Sequence, residues 1–135
     1  MMSLDKIWLS SPHMGGTERN YVTEAFDTNW VAPLGPNVTG FEKDLEAYQA
    51  ENTHVAALSS GTAAIHLALI QAGVGPGDEV ICQSFTFCGT TNPVQYLGAT
   101  PIMVDSEEDT WNMCPKALEE AVEDRIAQGK KPKAI

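Results

Sequence analysis

Apolar side chains recur at helical spacing in two stretches near the start of the chain. The first stretch comprises Tyr21, Val22, Ala25 and Phe26, and the second comprises Phe41, Leu45 and Tyr48. Because residues three and four positions apart share one face of a helix, both stretches predict amphipathic helices. Thr39 and Glu42 have the spacing of a capping box, which predicts that the second helix starts near Thr39. Residues 29–36 contain two prolines and a glycine, and they predict a loop between the helices.

From residue 55 onward, short apolar runs alternate with helical ones. Strands are predicted at residues 55–58, 80–82 and 102–104. Helices are predicted at residues 62–72 and 115–129, and a further helix somewhere within residues 88–97. Residues 133–135 have the pattern of a further strand. Strands joined by helices pair in parallel, so this order predicts an α/β fold with a mostly parallel, doubly wound sheet and flanking helices. We expect the sheet to be incomplete at the C-terminus, because the chain stops at the onset of a strand.

The pattern also divides the chain and predicts which helix faces are buried. We assign residues 1–53 to a helical N-terminal segment and residues 54–135 to the start of the α/β sheet. The helix at residues 62–72 is apolar almost all round, which predicts that it is buried. In the last helix the predicted buried stripe consists of Leu118, Ala121, Val122 and Ile126.

Acidic residues outnumber basic ones, and this disfavours some classes of partner. Eighteen Asp and Glu residues against eight Lys and Arg residues give a net charge of −10. We therefore expect neither nucleic acid nor an anionic membrane as a partner. No apolar run has the length of a membrane span and no secretion signal is evident, so we expect a cytoplasmic protein.

Cysteine and histidine residues give no sign of a disulfide framework or a metal centre. The three cysteines are Cys82, Cys88 and Cys114. Because they are odd in number and include no C-x-x-C pair, we expect them to pack as small apolar side chains in a reducing compartment. His13 and His54 lack a second ligand at metal spacing, so no metal site is expected. His66 lies in the apolar helix, where we expect a hydrogen-bonded core histidine rather than a ligand or a base.

Small polar residues stand between the strand predicted at residues 55–58 and the helix that follows it. The first amides of a helix lack partners within the helix and carry partial positive charge, so they can bind a phosphate. Ser59, Ser60 and Thr62 add hydroxyl groups, and Gly61 permits close approach to the backbone. The glycine fingerprints of dinucleotide and P-loop sites are absent, which disfavours a dinucleotide oxidoreductase. A simple capped helix after a buried strand explains the same residues equally well.

Several motifs in a fixed order are more specific than any one of them. They are residues 35–42 (GPNVTGFE), 59–69 (SSGTAAIHLAL), 75–81 (GPGDEVI), 84–87 (SFTF) and 97–105 (LGATPIMVD). Their order and spacing resemble the DegT/DnrJ family of nucleotide-sugar aminotransferases, which are fold-type I enzymes dependent on pyridoxal 5′-phosphate (PLP). The resemblance implies that the chain is the N-terminal part of the large PLP-binding domain.

The resemblance also implies which residues of this chain bind the cofactor. They are Ser60, Gly61 and Thr62 at the PLP phosphate, and Phe87 against the pyridine ring. A flat aromatic side chain at the carboxyl end of a strand offers a rigid apolar face to a flat cofactor, although core packing is the ordinary role of phenylalanine. Strand alternation turns Phe85 away from Phe87, so we expect Phe85 in the core. Asp105 ends a strand, where it could cap or pair locally.

For the complete enzyme, the resemblance implies transfer of an amino group from an amino acid, with glutamate expected, to a nucleotide-linked keto-sugar by a homodimer. The lysine that holds PLP and the carboxylate at its ring nitrogen lie downstream in the family. We therefore expect no catalytic residue in this chain and no activity of the chain alone. Two alternatives stay open: a PLP-dependent sugar dehydratase of the same family, with histidine in place of the lysine, and a non-catalytic binding or assembly module.

Overall fold

The computed structural model describes residues 6, 8, 10–49 and 51–135. The chain divides into two compact units, Met1–Ala57 and Leu58–Ile135. The sequence pattern places the change from helical segment to sheet at residues 53 and 54, close to this division.

The first unit contains helices α1 (Glu18–Asp27) and α2 (Pro36–Gln49), so both helices predicted there are present. Hydrogen bonding of the Glu18 carboxylate to its own backbone amide, and to the amides of Gly15 and Gly16, lowers the pKa of Glu18. Neither helix has a buried residue among those described. The apolar faces predicted from the sequence are therefore present but largely exposed, and only Ala25 and Leu45 among their predicted residues are half-buried.

The predicted capping box at Thr39 and Glu42 is wrong, because α2 begins at Pro36. Proline suits the first helical position, since its φ is already helical and it needs no partner for an amide proton. Thr39 therefore lies inside the first turn, where its amide donates to the carbonyl of Gly35 at 3.0 Å. The Glu42 carboxylate accepts from the amide of Ala57 at 2.8 Å instead of from a helix amide.

The strand predicted at residues 55–58 is also wrong, because those residues belong to no strand in the described structure. The amide of Val55 donates to Glu46 Oε1 at 3.0 Å, and the amide of Ala57 donates to Glu42 Oε1 at 2.8 Å. The carboxylates of Glu46 and Glu42 in α2 thus accept hydrogen bonds from two amides that would otherwise donate to the carbonyls of a neighbouring strand. A strand requires a paired strand, and a local apolar pattern does not supply one.

The second unit carries the α/β part of the chain. Its elements are α3 (Gly61–Gln71), β1 (Glu79–Gln83), α4 (Asn92–Tyr96), β2 (Thr100–Val104) and α5 (Pro115–Ala127). β1 and β2 pair in parallel, with Ile81 opposite Ile102. On the opposite edge of β1, Ala134 forms a parallel bridge with Val80, and the Ile81 amide donates to the Ala134 carbonyl at 3.0 Å. The further strand predicted at residues 133–135 is thus present as a single parallel bridge, and β1 lies between its two neighbours.

The core of the second unit lies where α3 and α4 pack on the sheet. Its buried residues are Leu69, Val74, Val80, Cys82, Val94 and Ala99. The prediction that the helix at residues 62–72 is buried all round is wrong, because Leu69 is its single buried residue among those described and Ile70 is half exposed. The predicted buried stripe of α5 is wrong as well, because α5 has no buried residue among those described: Leu118, Ala121 and Val122 are half-buried, and Ile126 is 54% exposed. Burial requires neighbours on each face, and the described elements cover only part of each helix.

A buried carboxylate joins the start of β1 to the end of α5. Glu79 is 5% exposed, and its Oε1 lies 3.3 Å from Lys130 Nζ and 3.7 Å from Arg125 Nη1. Its Oε2 is buried without a hydrogen-bond partner among the described residues. Because a buried charge is costly unless it is paired, these two cations are what make Glu79 tolerable at this position.

Replacing Glu79 with alanine is expected to lower the free energy of unfolding of the complete protein by about 1–3 kcal/mol, because two cations lose their buried partner. Urea unfolding followed by circular dichroism measures this change. Glu120→Ala is the matched control, since Glu120 and Lys116 are 3.8 Å apart with both side chains exposed. Such a surface pair is expected to contribute less than about 0.5 kcal/mol. Equal losses in the two variants would contradict the role of Glu79.

Candidate functional site

The start of α3 presents backbone donors that the helix itself does not use. Ser60 is the N-cap, with extended backbone angles (φ −165°, ψ 163°), and its Oγ accepts from the amide of Ala63 at 3.1 Å. The Ser60 carbonyl accepts from the amide of Ala64 at 3.1 Å. The amides of Gly61 and Thr62 have no acceptor among the described residues. These two amides are available to an external acceptor such as a phosphate oxygen.

The backbone at Gly61 is open to a ligand. A methyl group built on Gly61 would meet no atom within 4 Å among the described residues. Its backbone has no left-handed angle, so glycine is not required there by the fold. The open space at the first residue of α3 therefore leaves room for an anion, whereas the fold alone would accept a larger side chain.

Thr62 and Phe87 come together at a glycine that the sequence analysis missed. Gly89 is buried, and a methyl group built on it would lie 2.6 Å from Thr62 Oγ1 and 3.0 Å from Phe87 Cδ1. The Thr62 hydroxyl and the Phe87 ring therefore occupy space that any other residue at position 89 would fill. We call Thr62, Phe87 and Gly89 the cradle. In the sequence, the only sign of the cradle is a glycine two residues after Phe87, in the loop between β1 and α4.

Phe87 leaves most of its side chain open. It is 78% exposed, although its ring edge lies against Gly89. An exposed aromatic ring beside unpaired helix amides can accept a flat apolar ligand that also carries an anionic group. Phe87 lies four residues beyond the end of β1 at Gln83, and its contact with a cofactor stays a prediction.

Phe85 does not lie in the core, and that prediction is wrong. It is 65% exposed, and its ring lies against Trp111 with centroids 5.4 Å apart and planes at 54°. β1 ends at Gln83 and the chain bends over residues 84–86. The alternation of side chains between the faces of a strand therefore no longer applies at Phe85.

Asp105 acts locally, as predicted. Its Oδ1 accepts from the amide of Ser106 at 2.8 Å and lies 3.4 Å from Ser84 Oγ. The amide of Ser84 donates to the Val104 carbonyl at 2.8 Å, which continues the pairing of β1 and β2 beyond Gln83. These contacts hold the start of the loop that carries Phe87 against the end of β2.

His66, Cys82 and Cys88 are further residues whose side chains could carry chemistry. His66 is half-buried and meets the ring of Tyr96 edge-on at 5.6 Å, and it makes no hydrogen bond among the described residues. It therefore packs against Tyr96 but is not the hydrogen-bonded core histidine predicted from the sequence. Burial raises the pKa of the Cys82 thiol, which keeps it neutral. Cys88 is exposed, so its predicted packing role is wrong. In the described part of the chain no three His, Cys, Asp or Glu side chains form a group suited to a metal ion.

The first unit has a cavity of its own, of about 250 Å³, whose lining includes Trp30 and Asn37. The Trp30 indole N–H donates to the Leu34 carbonyl at 2.5 Å, and the ring lies against Gly35. The cavity is therefore shaped by the turn between α1 and α2. Across residues 6, 8, 10–49 and 51–135, no helix has both the length and the apolar character needed to cross a bilayer.

The sequence profile of the DegT/DnrJ/EryC1/StrS aminotransferase family matches residues 12–135. The chain belongs to this family. The resemblance inferred from the motifs is thereby confirmed, and so is the predicted class of fold, a partial α/β domain of PLP-dependent aminotransferases.

Individual relatives agree with this assignment. EpsN of Bacillus subtilis (strain 168), named as a pyridoxal phosphate-dependent aminotransferase, is 55% identical over 130 residues, which are 96% of this chain and 33% of EpsN. GDP-perosamine synthase of Caulobacter vibrioides is 41% identical over 93% of this chain and 33% of its own length. The chain thus spans about a third of the length of these curated relatives.

A solved structure of a family member superposes well on the chain. The PLP form of Spr1654 from Streptococcus pneumoniae, named as a sugar aminotransferase, matches with a TM-score of 0.74 and 34% identity. The match covers 86% of this chain and 29% of that one. At this identity and TM-score, the likeness extends to sequence as well as fold.

Proposed function

We propose that this chain forms part of a PLP-dependent aminotransferase that transfers an amino group from an amino acid, with glutamate expected, to a nucleotide-linked keto-sugar. The observation that carries the proposal is the cradle beside the unpaired amides of Gly61 and Thr62, in a chain of this family. The names of GDP-perosamine synthase and of the PLP form of Spr1654 support the sugar substrate and the cofactor.

The residues present fit a PLP phosphate. The amides of Gly61 and Thr62 lack acceptors among the described residues, and the N-terminus of an 11-residue helix adds partial positive charge. The Ser60 hydroxyl accepts from Ala63 and still has its own proton to donate. The Thr62 hydroxyl lies at Gly89, beside the Phe87 ring. We therefore assign Ser60, Gly61 and Thr62 to the phosphate.

This way of holding an anion also agrees with the charge of the chain. A net charge of −10 opposes an anionic ligand over the whole surface. Backbone amides at a helix start act over a short range, so they attract a phosphate where the overall field repels it. The site therefore needs no lysine or arginine from this chain.

Phe87 is assigned to the face of the pyridine ring. Its exposed ring offers an apolar surface beside the phosphate donors, and a stacked aromatic group excludes water from one face of a flat ligand. When bound, PLP supplies an electron sink that lets an amino group pass between an amino acid and a keto-sugar. The chain's own contribution is to bind and orient that cofactor.

We further propose that the complete protein works as a homodimer in the cytoplasm. The family resemblance supports the dimer. The odd number of cysteines and the lack of a C-x-x-C pair agree with a reducing compartment. Size-exclusion chromatography with light scattering measures the oligomeric state of the complete protein. A monomer that retains full activity would contradict the dimer.

The function is tested with the complete protein that carries this chain. We expect PLP to bind and give a visible absorption band that free PLP lacks. With glutamate and a nucleotide-linked keto-sugar, mass spectrometry should detect an amino sugar and 2-oxoglutarate in equal amounts. Absence of PLP binding would favour a non-catalytic module, and loss of a sugar hydroxyl without amination would favour the dehydratase.

A further inference from the structure

Two threonine side chains form a hydrogen bond within the loop that carries Phe87, the residue that we assign to the pyridine ring. Thr86 Oγ1 and Thr90 Oγ1 are 2.9 Å apart in the loop between β1 and α4. Either oxygen can be the donor, so the pair forms one hydrogen bond and keeps one further hydroxyl proton. Phe87 lies between these threonines in sequence, directly after Thr86.

The backbone of this loop is held at both ends. At its start, the amide of Ser84 donates to the Val104 carbonyl at 2.8 Å. At its end, the amides of Thr91 and Asn92 donate to the Cys88 carbonyl at 3.1 and 2.9 Å. The Phe87 carbonyl accepts from the amide of Thr90 at 2.9 Å. In the described structure, the Thr86–Thr90 bond is the side-chain link that joins the two sides of Phe87.

The ring of Phe87 needs such a link because it has little support of its own. Its edge lies against Gly89, next to the Thr62 hydroxyl, while 78% of the side chain is exposed. A side chain with one supported edge can change its rotamer, and rotation would remove the surface on which a flat ligand stacks. The loop backbone therefore has to keep the Phe87 ring directed toward Thr62 and Gly89.

We propose that the Thr86–Thr90 hydroxyl pair is a positioning device that holds Phe87 in the orientation in which it stacks on the cofactor. This inference rests on the proposed function, since it concerns the same PLP site. The two threonines act through Phe87 and make no contact with PLP themselves. The proposal is specific to the hydroxyl groups, because valine has the same shape as threonine without a hydrogen-bonding oxygen.

The test uses Thr86→Val and Thr90→Val in the complete protein, with PLP affinity and the induced circular dichroism of bound PLP as readouts. Each variant is expected to bind PLP about three- to tenfold more weakly, as for loss of one hydrogen bond. The induced signal should also decrease, because it depends on the orientation of the bound ring. Thr86→Ser and Thr90→Ser keep the hydroxyl and should restore both readouts.

Two controls separate positioning from general structural loss. Thr100→Val makes the same change at an exposed residue at the start of β2, where the side chain makes no hydrogen bond among the described residues, so PLP binding should not change. In a Phe87→Ala background, Thr86→Val should cause no further weakening. An equal weakening there would show direct contact between Thr86 and the cofactor, and it would overturn the proposal.

Other outcomes are equally decisive. If the unchanged protein binds PLP and both valine variants bind it as tightly with the same induced signal, this inference fails while the proposed function stands. If both valine variants unfold while both serine variants fold, the pair holds the fold and not the ring, which also overturns it. If the unchanged protein binds no PLP, the proposed function fails, and this inference fails with it.

Discussion

Replacement of Gly61 by aspartate is expected to weaken PLP binding by at least about 100-fold, which corresponds to about 3 kcal/mol. The new carboxylate would stand at the first residue of α3, where we place the PLP phosphate. Two negative charges a few ångströms apart near a protein surface repel each other by about that amount. Equilibrium dialysis or the visible absorption of bound PLP, measured on the complete protein, gives the affinity.

The same substitution should leave the fold intact, which makes the prediction specific to the ligand. An acidic residue in the first turn interacts favourably with the helix dipole, and a methyl group on Gly61 would meet no described atom within 4 Å. Gly61→Asn is the matched control, because it has nearly the same size without the charge. If Gly61→Asp and Gly61→Asn bind PLP equally well, the phosphate does not lie at the start of α3.

Replacement of Phe87 by alanine is expected to weaken PLP binding by about 10- to 100-fold, the range found when an aromatic ring that stacks on a flat heterocycle is removed. The side chain is 78% exposed, so its removal should have little effect on the free energy of unfolding. Titration with PLP gives the affinity, and urea unfolding gives the stability.

Phe85→Ala is the matched control for Phe87. Phe85 is also largely exposed, at 65%, and lies in the same loop, but its ring contacts Trp111 and not the cradle. We expect the PLP affinity of Phe85→Ala to lie within about twofold of that of the unchanged protein, because the contact that is lost, with Trp111, lies outside the proposed PLP site. Equal weakening in the two variants would show that the loop responds as a whole, and it would contradict the stacking role of Phe87.

The local pattern predicted that the helices exist, but it predicted the first residue of α5 correctly and that of α2 wrongly. α5 begins at Pro115, as proline at a first helical position indicates. The same rule at Pro36 would have located the start of α2, but the Thr39–Glu42 pair obscured it. Capping boxes are short patterns that occur by chance, so a proline that fits the first position is the stronger signal.

The candidate site was partly predictable for a similar reason. Ser60 caps α3 and leaves the amides of Gly61 and Thr62 without partners, which follows from local sequence alone. Gly89 was missed because its importance arises from the approach of two segments that are distant in sequence. No pattern within the loop distinguishes a glycine that turns the chain from one that makes room for Thr62 and Phe87.

Local sequence determined the order of helices and strands, the parallel pairing of β1 with β2, and the capped start of α3 with its free amides. These features depend on interactions between near neighbours in the chain or on the connections between successive elements. Tertiary structure alone decided that residues 55–58 form no strand, that α3 is buried on one side only, and that Thr62 and Phe87 meet at Gly89. Whether a given segment finds a strand partner, how much of a helix is buried and which side chains approach each other all depend on residues that are distant in sequence, and a local pattern does not specify those contacts.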